Sequence, residues 1–453
     1  MKIIIVGCGK VGETLAEELS SEKGQDIVVV DNDRAVLDEV ADRFDVIGVC
    51  GNGVTAETLA EAGVGKSDLL IAVTAHDEVN LLCCLMAKKM GVKSTIARVR
   101  NPEYSAEISI IQEDLGLSMT VNPEQAAAME IARLIRFPAA VEVSTFAKGR
   151  VEILKILVRP GSGLDGMVIK NLFPKTKLKV LICAVERDNE VTIPGGDFRL
   201  LSGDKISVVV PENEITKFFR FADCLQGRIG NAIIVGGGRI AFYLSGMLVK
   251  DGIDVKLLEK NPQRCEELSE QLPKVTVIDG SGDEHNTLID EGLETVGAFA
   301  ALTDMDEGNM LLSAFAKNKS RAKIITKVNR PALCDISEEM NLGSIITPRK
   351  ITAEHILRYV RAMQNSHGSS VETLYKLVGD TVEALEFRIR KDSPVLGVPL
   401  MSLKIKKNLL VACINRKGKI IIPGGSDTIE RGDTVIIVTT VAGLDDITDI
   451  LAE

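Results

Sequence analysis

The chain has 453 residues, 45% hydrophobic and 26% charged, an ordinary make-up for a globular protein and a length that suggests several domains. A net charge of −10, no tryptophan and only 4% aromatic residues offer a nucleic-acid partner neither a basic surface nor stacking platforms. No apolar run approaches the roughly 20 residues that a membrane span needs, so a membrane role has to come through a partner.

In chain order, Lys2–Val6 reads as a short strand leading into a glycine-rich turn, and Val11–Leu19 has helical spacing. Ile27–Val30 is a strand that ends at Asp31, Val36–Phe44 a helix, and Val46–Val49 a strand that ends at Gly51. Leu69–Val73 is a strand ending at Thr74, Asn80–Met90 a helix and Thr95–Val99 a strand. Near-continuous apolar strands separated by helices predict a parallel sheet buried on both faces, with right-handed crossovers. Glu124–Phe137 is a helix with apolar Ala128, Ile131, Leu134 and Ile135, stopped by Pro138. It could pack on its own domain or serve as a dimer element. Strands at Val151–Val158, Leu178–Val185 and Lys205–Val210, separated by Pro-, Gly- and Asp-rich turns, make a small mixed sheet. Glu383–Ile389, Leu409–Ile414 and Val435–Val438 are the matching segments later in the chain, and Ile351–Met363 is the matching helix.

That correspondence is an internal repeat. Gly7-Cys8-Gly9-Lys10-Val11-Gly12 matches Gly236-Gly237-Gly238-Arg239-Ile240-Ala241, 229 residues further on. The same spacing relates Gly51-Asn52-Gly53 to Gly280-Ser281-Gly282, and Thr74 through Asn80 to Thr303 through Asn309. It also relates Ile193-Pro194-Gly195-Gly196 to Ile422-Pro423-Gly424-Gly425, and Ser202-Gly203-Asp204 to Arg431-Gly432-Asp433. A constant spacing over five separated blocks means a duplicated two-domain unit.

Gly7, Gly9 and Gly12 form the dinucleotide fingerprint: a tight turn after the strand, close approach of backbone to a pyrophosphate, and packing of helix on strand. Phosphates would lie at the helix N-terminus, where free N–H groups and the macrodipole favour anions. Asp31, at the end of the next strand, can accept from both ribose hydroxyls and would repel a 2′-phosphate. NAD or an adenosine nucleotide is therefore expected rather than NADP. The second copy has Gly236, Gly238 and Ala241, with Glu259 in the acidic position. It reads as a second site or as a degenerate structural copy.

Asp33 and Arg34 either flank the adenosine or start a solvated helix. Asn52, Thr74, Ala75 and Asn80 fall on the carboxyl edge of the sheet. Arg98, whose counterpart is Lys327, could reach a phosphate or form an exposed ion pair. Asp77 with Glu78, repeated as Asp306 with Glu307, suit a helix N-terminus better than an acid/base pair. The histidines His76, His285, His355 and His367 do not recur between the halves and read as exposed. No catalytic triad order or H-e-x-x-H-type metal motif is present. The nine cysteines, Cys224 among them, form no C-x-x-C pair and read as small buried thiols. The stretch before Gly7 is too short for a signal peptide, so a cytosolic chain is expected.

Ile4–Gly12, the T-x-x-D-E-x-N pattern of Thr74–Leu82, Asn122-Pro123-Glu124 and the run Ile131–Pro138 together resemble the TrkA family. These are the regulatory subunits of bacterial Trk potassium-uptake systems, built from two tandem RCK (KTN) modules. The resemblance covers nearly the whole chain. It implies an α/β fold: two tandem Rossmann-like doubly wound parallel sheets, each followed by a small α+β domain. By position it implies a first Rossmann domain at 1–122, a crossover helix at 123–140 and a C-terminal domain at 141–225. A second Rossmann domain follows at 229–348, a crossover helix at 349–370 and a C-terminal domain at 371–453.

The resemblance further implies nucleotide contacts at Gly7, Cys8, Gly9, Lys10, Val11, Asp31, Thr74, Ala75 and Arg98. In the second module they fall at Gly236, Gly238, Arg239, Ile240, Glu259 and Thr303. The implied ligands are NAD(H) and, at the same sites, ATP or ADP. The departures are Ala241 for the third glycine and Asp304 for Ala75, which puts a negative charge beside the second site. The implied role is non-enzymatic. The chain would lie on the inner face of the cell membrane, assemble into a ring through its crossover helices, and gate a TrkH- or TrkG-like potassium-translocating subunit. The competing readings are an NAD-dependent oxidoreductase, for which the small domains supply no histidine or anion clamp, and a structural assembly module with vestigial sites.

Overall fold

The computed structural model describes all residues except 22–23, 147–150, 189, 212–213, 224–228, 283, 366–370, 379–380, 391, 442, 445 and 453. Cys224, His367 and the expected boundaries at 225 and 370 lie outside the described residues. Two units are resolved: Met1–Ala132 with Gly230–Leu357, and Arg133–Ile229 with Arg358–Glu453.

The first unit holds both parallel sheets. Strands β1 (Lys2–Val6), β2 (Asp26–Asp31), β3 (Ile47–Cys50), β4 (Leu69–Ala72), β5 (Ser94–Arg98) and β6 (Met119–Val121) pair in the order 3-2-1-4-5-6. All neighbours are parallel. The intervening helices are α1 (Lys10–Ser20), α2 (Arg34–Phe44), α3 (Ala56–Glu61), α4 (Asp77–Lys89) and α5 (Pro102–Ile111). Ile3, Ile4 and Ile5 on the central strand are wholly buried, because helices cover both faces of the sheet. Reversal of the strand order between β1 and β4 opens the crevice in which doubly wound sheets bind ligands, at the carboxyl ends of the strands.

Local signals start the helices. The Asp33 carboxylate accepts from the N–H groups of Ala35 and Val36 and so caps α2. Asn101 caps α5 with Pro102 behind it. Helix α6 (Pro123–Arg136) begins at Pro123 and carries the chain from the first unit into the second.

In the second unit, β7 (Ala140–Phe146), β8 (Val151–Leu157), β9 (Leu181–Arg187), β10 (Glu190–Thr192) and β11 (Lys205–Val209) form a sheet of order 10-9-11-8-7, with the short helices α7 (Leu172–Thr176) and α8 (Ile215–Phe221). Its strands are antiparallel rather than mixed. Strands β7 and β8, and β9 and β10, are consecutive in the chain, whereas β8 and its neighbour β11 are separated by α7, β9 and β10.

The pattern repeats. Strands β12 (Asn231–Val235), β13 (Asp254–Glu259), β14 (Thr276–Asp279), β15 (Ala298–Ala301), β16 (Lys323–Lys327) and β17 (Ser344–Ile346) form a parallel sheet of order 14-13-12-15-16-17. Its helices are α9 (Arg239–Lys250), α10 (Pro262–Gln271), α11 (His285–Asp290), α12 (Asp306–Lys319), α13 (Pro331–Glu339) and α14 (Pro348–Asn365). Strands β18 (Val371–Val378), β19 (Val382–Arg388), β20 (Leu409–Arg416), β21 (Lys419–Ile421) and β22 (Thr434–Thr439) then make the second antiparallel sheet.

The two antiparallel sheets share one apolar core. Phe146, Ile153, Cys183 and Ala184 from the first copy pack in a single cluster with Val382, Ala384, Ala412 and Cys413 from the second. The repeated Gly-Asp blocks of these domains are structural. Asp204 is 1% exposed and takes two bonds from the Arg187 guanidinium, at 2.7 and 2.8 Å, and one from the N–H of Leu201. Asp433 does the same with Arg416 and the N–H of Glu430.

Candidate nucleotide-binding site

The carboxyl ends of β1, β2, β4 and β5 bring together Gly7–Val11, Asp31, Thr74, Ala75 and Arg98. The three glycines of the turn have different reasons to be glycine. Gly7 has φ +100°, and a Cβ there would lie 2.9 Å from the Thr74 nitrogen. A Cβ at Gly12 would lie 1.8 Å from the Gly7 oxygen, so α1 could not pack as closely on β1. Gly9, which starts α1 with an ordinary φ of −68°, has no atom within 4 Å of where a Cβ would stand. Nothing inside the chain demands glycine at Gly9. What the missing side chain leaves is open space in front of a helix N-terminus whose starting residue gives it no side-chain cap. That space suits the close approach of a pyrophosphate.

The Asp31 carboxylate is held before any ligand arrives. One oxygen accepts from the N–H of Cys8 at 2.6 Å, the other from the N–H of Asp33 at 2.9 Å. Each oxygen keeps acceptor capacity for a ribose hydroxyl. Cys8 is buried, and that burial, with the Asp31 charge beside it, pushes its thiol up to about 12. The residue therefore serves through its backbone and has no nucleophilic thiolate at neutral pH. Val11 is buried in the first turn of α1, whereas Lys10 is exposed beside Gly9.

The far side of the crevice is organised by a residue that sequence reasoning placed only on the edge. Asn80 is fully buried. Its carbonyl oxygen accepts from the N–H and the hydroxyl of Thr74, at 2.8 and 2.7 Å. Its amide nitrogen donates to the carbonyls of Thr74 and Arg98, at 3.2 and 2.9 Å. Asp77 is similarly committed: one oxygen accepts the N–H groups of Arg100 and Asn101, tying the first turn of α4 to the segment after β5. The T-x-x-D-E-x-N pattern is thus the frame of the crevice. The signal was the repeat itself, because Asn309 makes the same four bonds to Thr303 and Lys327.

Arg98 is half-buried, with Nη2 donating to the carbonyl of Thr74 and a buried Nε that has no partner. Burial, with Arg100 nearby, lowers its guanidinium to about 10, so it stays charged at neutral pH. It is not an exposed ion pair. Asn52 folds back on the N–H of Val54, and Gly53 is glycine because a Cβ would meet Val6 at 2.3 Å. Arg34 pairs with Asp38 on the solvent face of α2. His76 is exposed and His355 half-buried.

The second copy repeats the near half of the crevice. Gly236 has φ +101°, Gly238 has open space where a Cβ would stand, and Arg239 and Ile240 begin α9. Glu259 reaches the N–H of Gly237 at 2.6 Å and that of Asn261 at 2.8 Å. Ala241 is fully buried, so α9 packs with a methyl where α1 has none. The far half differs: Lys327, in place of Arg98, pairs with Asp304 at 3.2 Å. Asn122, after β6, donates to the Tyr243 hydroxyl on α9 at 3.0 Å, linking the two parallel-sheet domains.

Among the described residues no group of His, Cys, Asp and Glu could hold a metal ion. Cys8, Cys83, Cys84, Cys183, Cys265 and Cys413 are buried free thiols, Cys334 is half-buried, and Cys50 is exposed. Among the described residues no helix is long and apolar enough to cross a membrane.

Comparison with known proteins places these features in a family. The TrkA-N domain model matches residues 3–123 and 232–348, and the TrkA-C domain model matches 153–223 and 384–452. The chain is 32% identical over 442 residues to the Trk system potassium uptake protein TrkA homolog of Archaeoglobus fulgidus, covering 96% of this chain and 97% of that one. It is 31% identical to the Trk system potassium uptake protein TrkA of Halomonas elongata, covering 96% and 95%. Among solved structures, the GsuK channel bound to NAD shares the fold, with a TM-score of 0.63 at 16% identity over 97% of this chain and 76% of that one.

Proposed function

The chain belongs to the TrkA family, and from that premise we propose that it is a nucleotide-sensing regulatory subunit that gates a membrane potassium-uptake subunit. One observation carries the nucleotide part. Gly9 and Gly238 are glycines that the fold itself does not require, and each opens onto a helix N-terminus beside a carboxylate already held by backbone N–H groups. In this reading, N–H groups of the Gly7–Val11 turn hold the phosphates, Asp31 accepts the ribose hydroxyls, and Thr74, Ala75 and Arg98 face the remainder of the ligand. Gly236, Gly238, Arg239, Ile240 and Thr303 do the same in the second module, with Glu259 as the ribose acceptor. NAD(H) fits these contacts, and ATP or ADP shares the adenosine and phosphates.

Gating follows from differential affinity. A nucleotide that prefers one arrangement of the ring shifts the population toward it by the ratio of its two affinities and no more. A swing from 1:99 to 99:1 takes a ratio of about 10⁴. Binding and release involve no bond chemistry in the chain, so the role is regulatory rather than catalytic. The subunit would work at the cytoplasmic face of the membrane, as part of a ring on its potassium-translocating partner, with the crossover helices α6 and α14 as ring contacts.

The test has two parts. Calorimetry of the purified chain with NAD, NADH, ATP and ADP should show saturable binding. Potassium uptake by cells lacking their own regulatory subunit should depend on this chain and change with Asp31→Ala. Absence of any binding, or uptake indifferent to the chain, would remove the proposal.

A further inference from the structure

The two modules hold the near half of the crevice alike and the far half differently. In doubly wound sheets the halves on either side of the switch point take the two ends of a dinucleotide. The adenosine half, lined here by the glycine turn and the acidic residue, is conserved between the copies down to the bonds that fix the carboxylate. The far half lies at the ends of β4 and β5 in one module, and of β15 and β16 in the other. The frame beneath it is also the same, since Asn80 and Asn309 make matching bonds. The difference is therefore confined to side chains standing on one scaffold.

In the first module the exposed position after Thr74 is Ala75, and the cation beneath is Arg98, with a buried, unpartnered Nε. Arg100 donates to the Ala75 carbonyl on the same edge, so the far half is lined by two guanidinium groups. Asp77 and Glu124 are the acids near them, but Asp77 is bound to backbone N–H groups and Glu124 lies 3.7 Å from Arg100. In the second module the position of Ala75 is Asp304, whose side chain is fully exposed and whose Oδ1 lies 3.2 Å from Lys327 Nζ. Lys327 is only 10% exposed, so Asp304 stands over it on the side open to solvent. The cation is answered from within the chain, and what an incoming ligand meets is a carboxylate.

We propose that Asp304 is the specificity-determining residue of the second module. It turns away nucleoside di- and triphosphates and leaves the module selective for an adenine dinucleotide whose far ring is cationic, oxidised NAD. A terminal phosphate placed there has to displace a carboxylate from its lysine and then lie beside it. A pyridinium ring meets an opposite charge instead. The first module, with no carboxylate at the exposed position after Thr74, takes ATP as readily as NAD. The inference rests on the nucleotide-sensing reading and adds to it a division of labour: one module answers to adenylate charge, the other to the oxidised dinucleotide.

The experiment is calorimetry of the full chain with ATP and with NAD, for the wild type, Asp304→Ala, Asp304→Asn and Ala75→Asp. The wild type should bind one ATP and two NAD per chain. Asp304→Ala installs the residue that the first module carries and should bring a second ATP per chain. Asp304→Asn keeps the shape, removes the charge, and should do the same. Both should weaken NAD at the second site about tenfold, and Ala75→Asp should weaken ATP at the first site at least as much. Asp304 is fully exposed, so neither substitution opens a cavity in the core. Two ATP per wild-type chain, or an ATP count still at one in both Asp304 variants, would overturn this proposal while leaving the nucleotide sensor intact. No binding of either nucleotide to any variant would overturn the sensor reading and this inference with it.

Discussion

Asn80 binds Thr74 through three of its hydrogen bonds, and its fourth goes to the carbonyl of Arg98. One buried amide thus sets the distance between the ends of two neighbouring strands. Asn80→Ala takes the side-chain partner from the Thr74 N–H and from the Arg98 carbonyl in the interior, while the Thr74 carbonyl keeps Arg98. An unsatisfied buried group costs about 1–3 kcal/mol, so the first parallel-sheet domain should lose about 2–4 kcal/mol in denaturant unfolding. Asn80→Asp keeps the acceptor but points an oxygen at two carbonyls, and should be no better. A loss under 0.5 kcal/mol in both variants would contradict the role given to Asn80.

The glycines of the turn separate binding from folding. Gly9→Ala meets no atom within 4 Å, so thermal stability should change by less than about 1 kcal/mol, while NAD affinity falls at least tenfold. Gly12→Val is the opposite case: its Cβ would overlap the Gly7 oxygen, and the domain should lose stability by about 1–3 kcal/mol or more. If Gly9→Ala bound NAD normally, the phosphates would not be lying over α1.

Asp31→Ala removes a charged acceptor of ribose hydroxyls, an interaction of about 1.5–3 kcal/mol. NAD affinity should fall roughly 10- to 100-fold. Ligand at 100 times its dissociation constant stabilises the wild type by about 2.7 kcal/mol. The NAD-induced rise in melting temperature should accordingly shrink in the variant, and an equal rise in both would count against Asp31.

In the second unit, Asp204 is predicted to govern acid stability. Burial raises its carboxyl, but the Arg187 bond and the Leu201 N–H outweigh that, and the net effect is a lowered pKa. A carboxyl lowered on folding stabilises above its unfolded value of about 3.9, and the contribution is lost as pH falls through the folded value. Unfolding of this unit should therefore steepen below about pH 4. Arg187→Ala leaves the buried carboxylate without its cation and should cost about 3 kcal/mol at neutral pH. The acid sensitivity of that variant should then move upward; an unchanged acid transition would exclude Asp204 as its source.

Purified chain with NAD and a range of alcohols or hydroxy acids should give no sustained rise in absorbance at 340 nm. Steady NADH production would restore the oxidoreductase reading.

The parallel sheets were legible because their central strands are unbroken apolar runs such as Ile3-Ile4-Ile5-Val6, and because every feature is written twice at one spacing. The strands and helices named from the sequence fall within about three residues of those observed. Strands β6 and β17, three residues each, carry too little periodicity to stand out, and β7 hid behind the helix-stopping Pro138. The glycine turn and its acidic partners were legible as a pattern. Their division of labour was not, since the different reasons for Gly7, Gly9 and Gly12 exist only once Thr74 and the Gly7 oxygen are in place. The roles of Asn80, Asp77 and Arg187 likewise depend on partners 6 to 24 residues away, brought close by sheet order.

The common core of the two antiparallel sheets has an evolutionary consequence. Residues such as Cys183 and Ala184 are covered by Ala412 and Cys413, their counterparts in the other copy with the order reversed. A single-module ancestor with this surface would have needed a second molecule to cover it, as a symmetric homodimer does. In such a dimer every mutation falls on both partners at once. In one chain that holds both copies the constraint is absent: each copy supplies the half of the buried seam that the other requires, and the crevices are free to differ. Asp304 is a change that only such a chain can carry on one side.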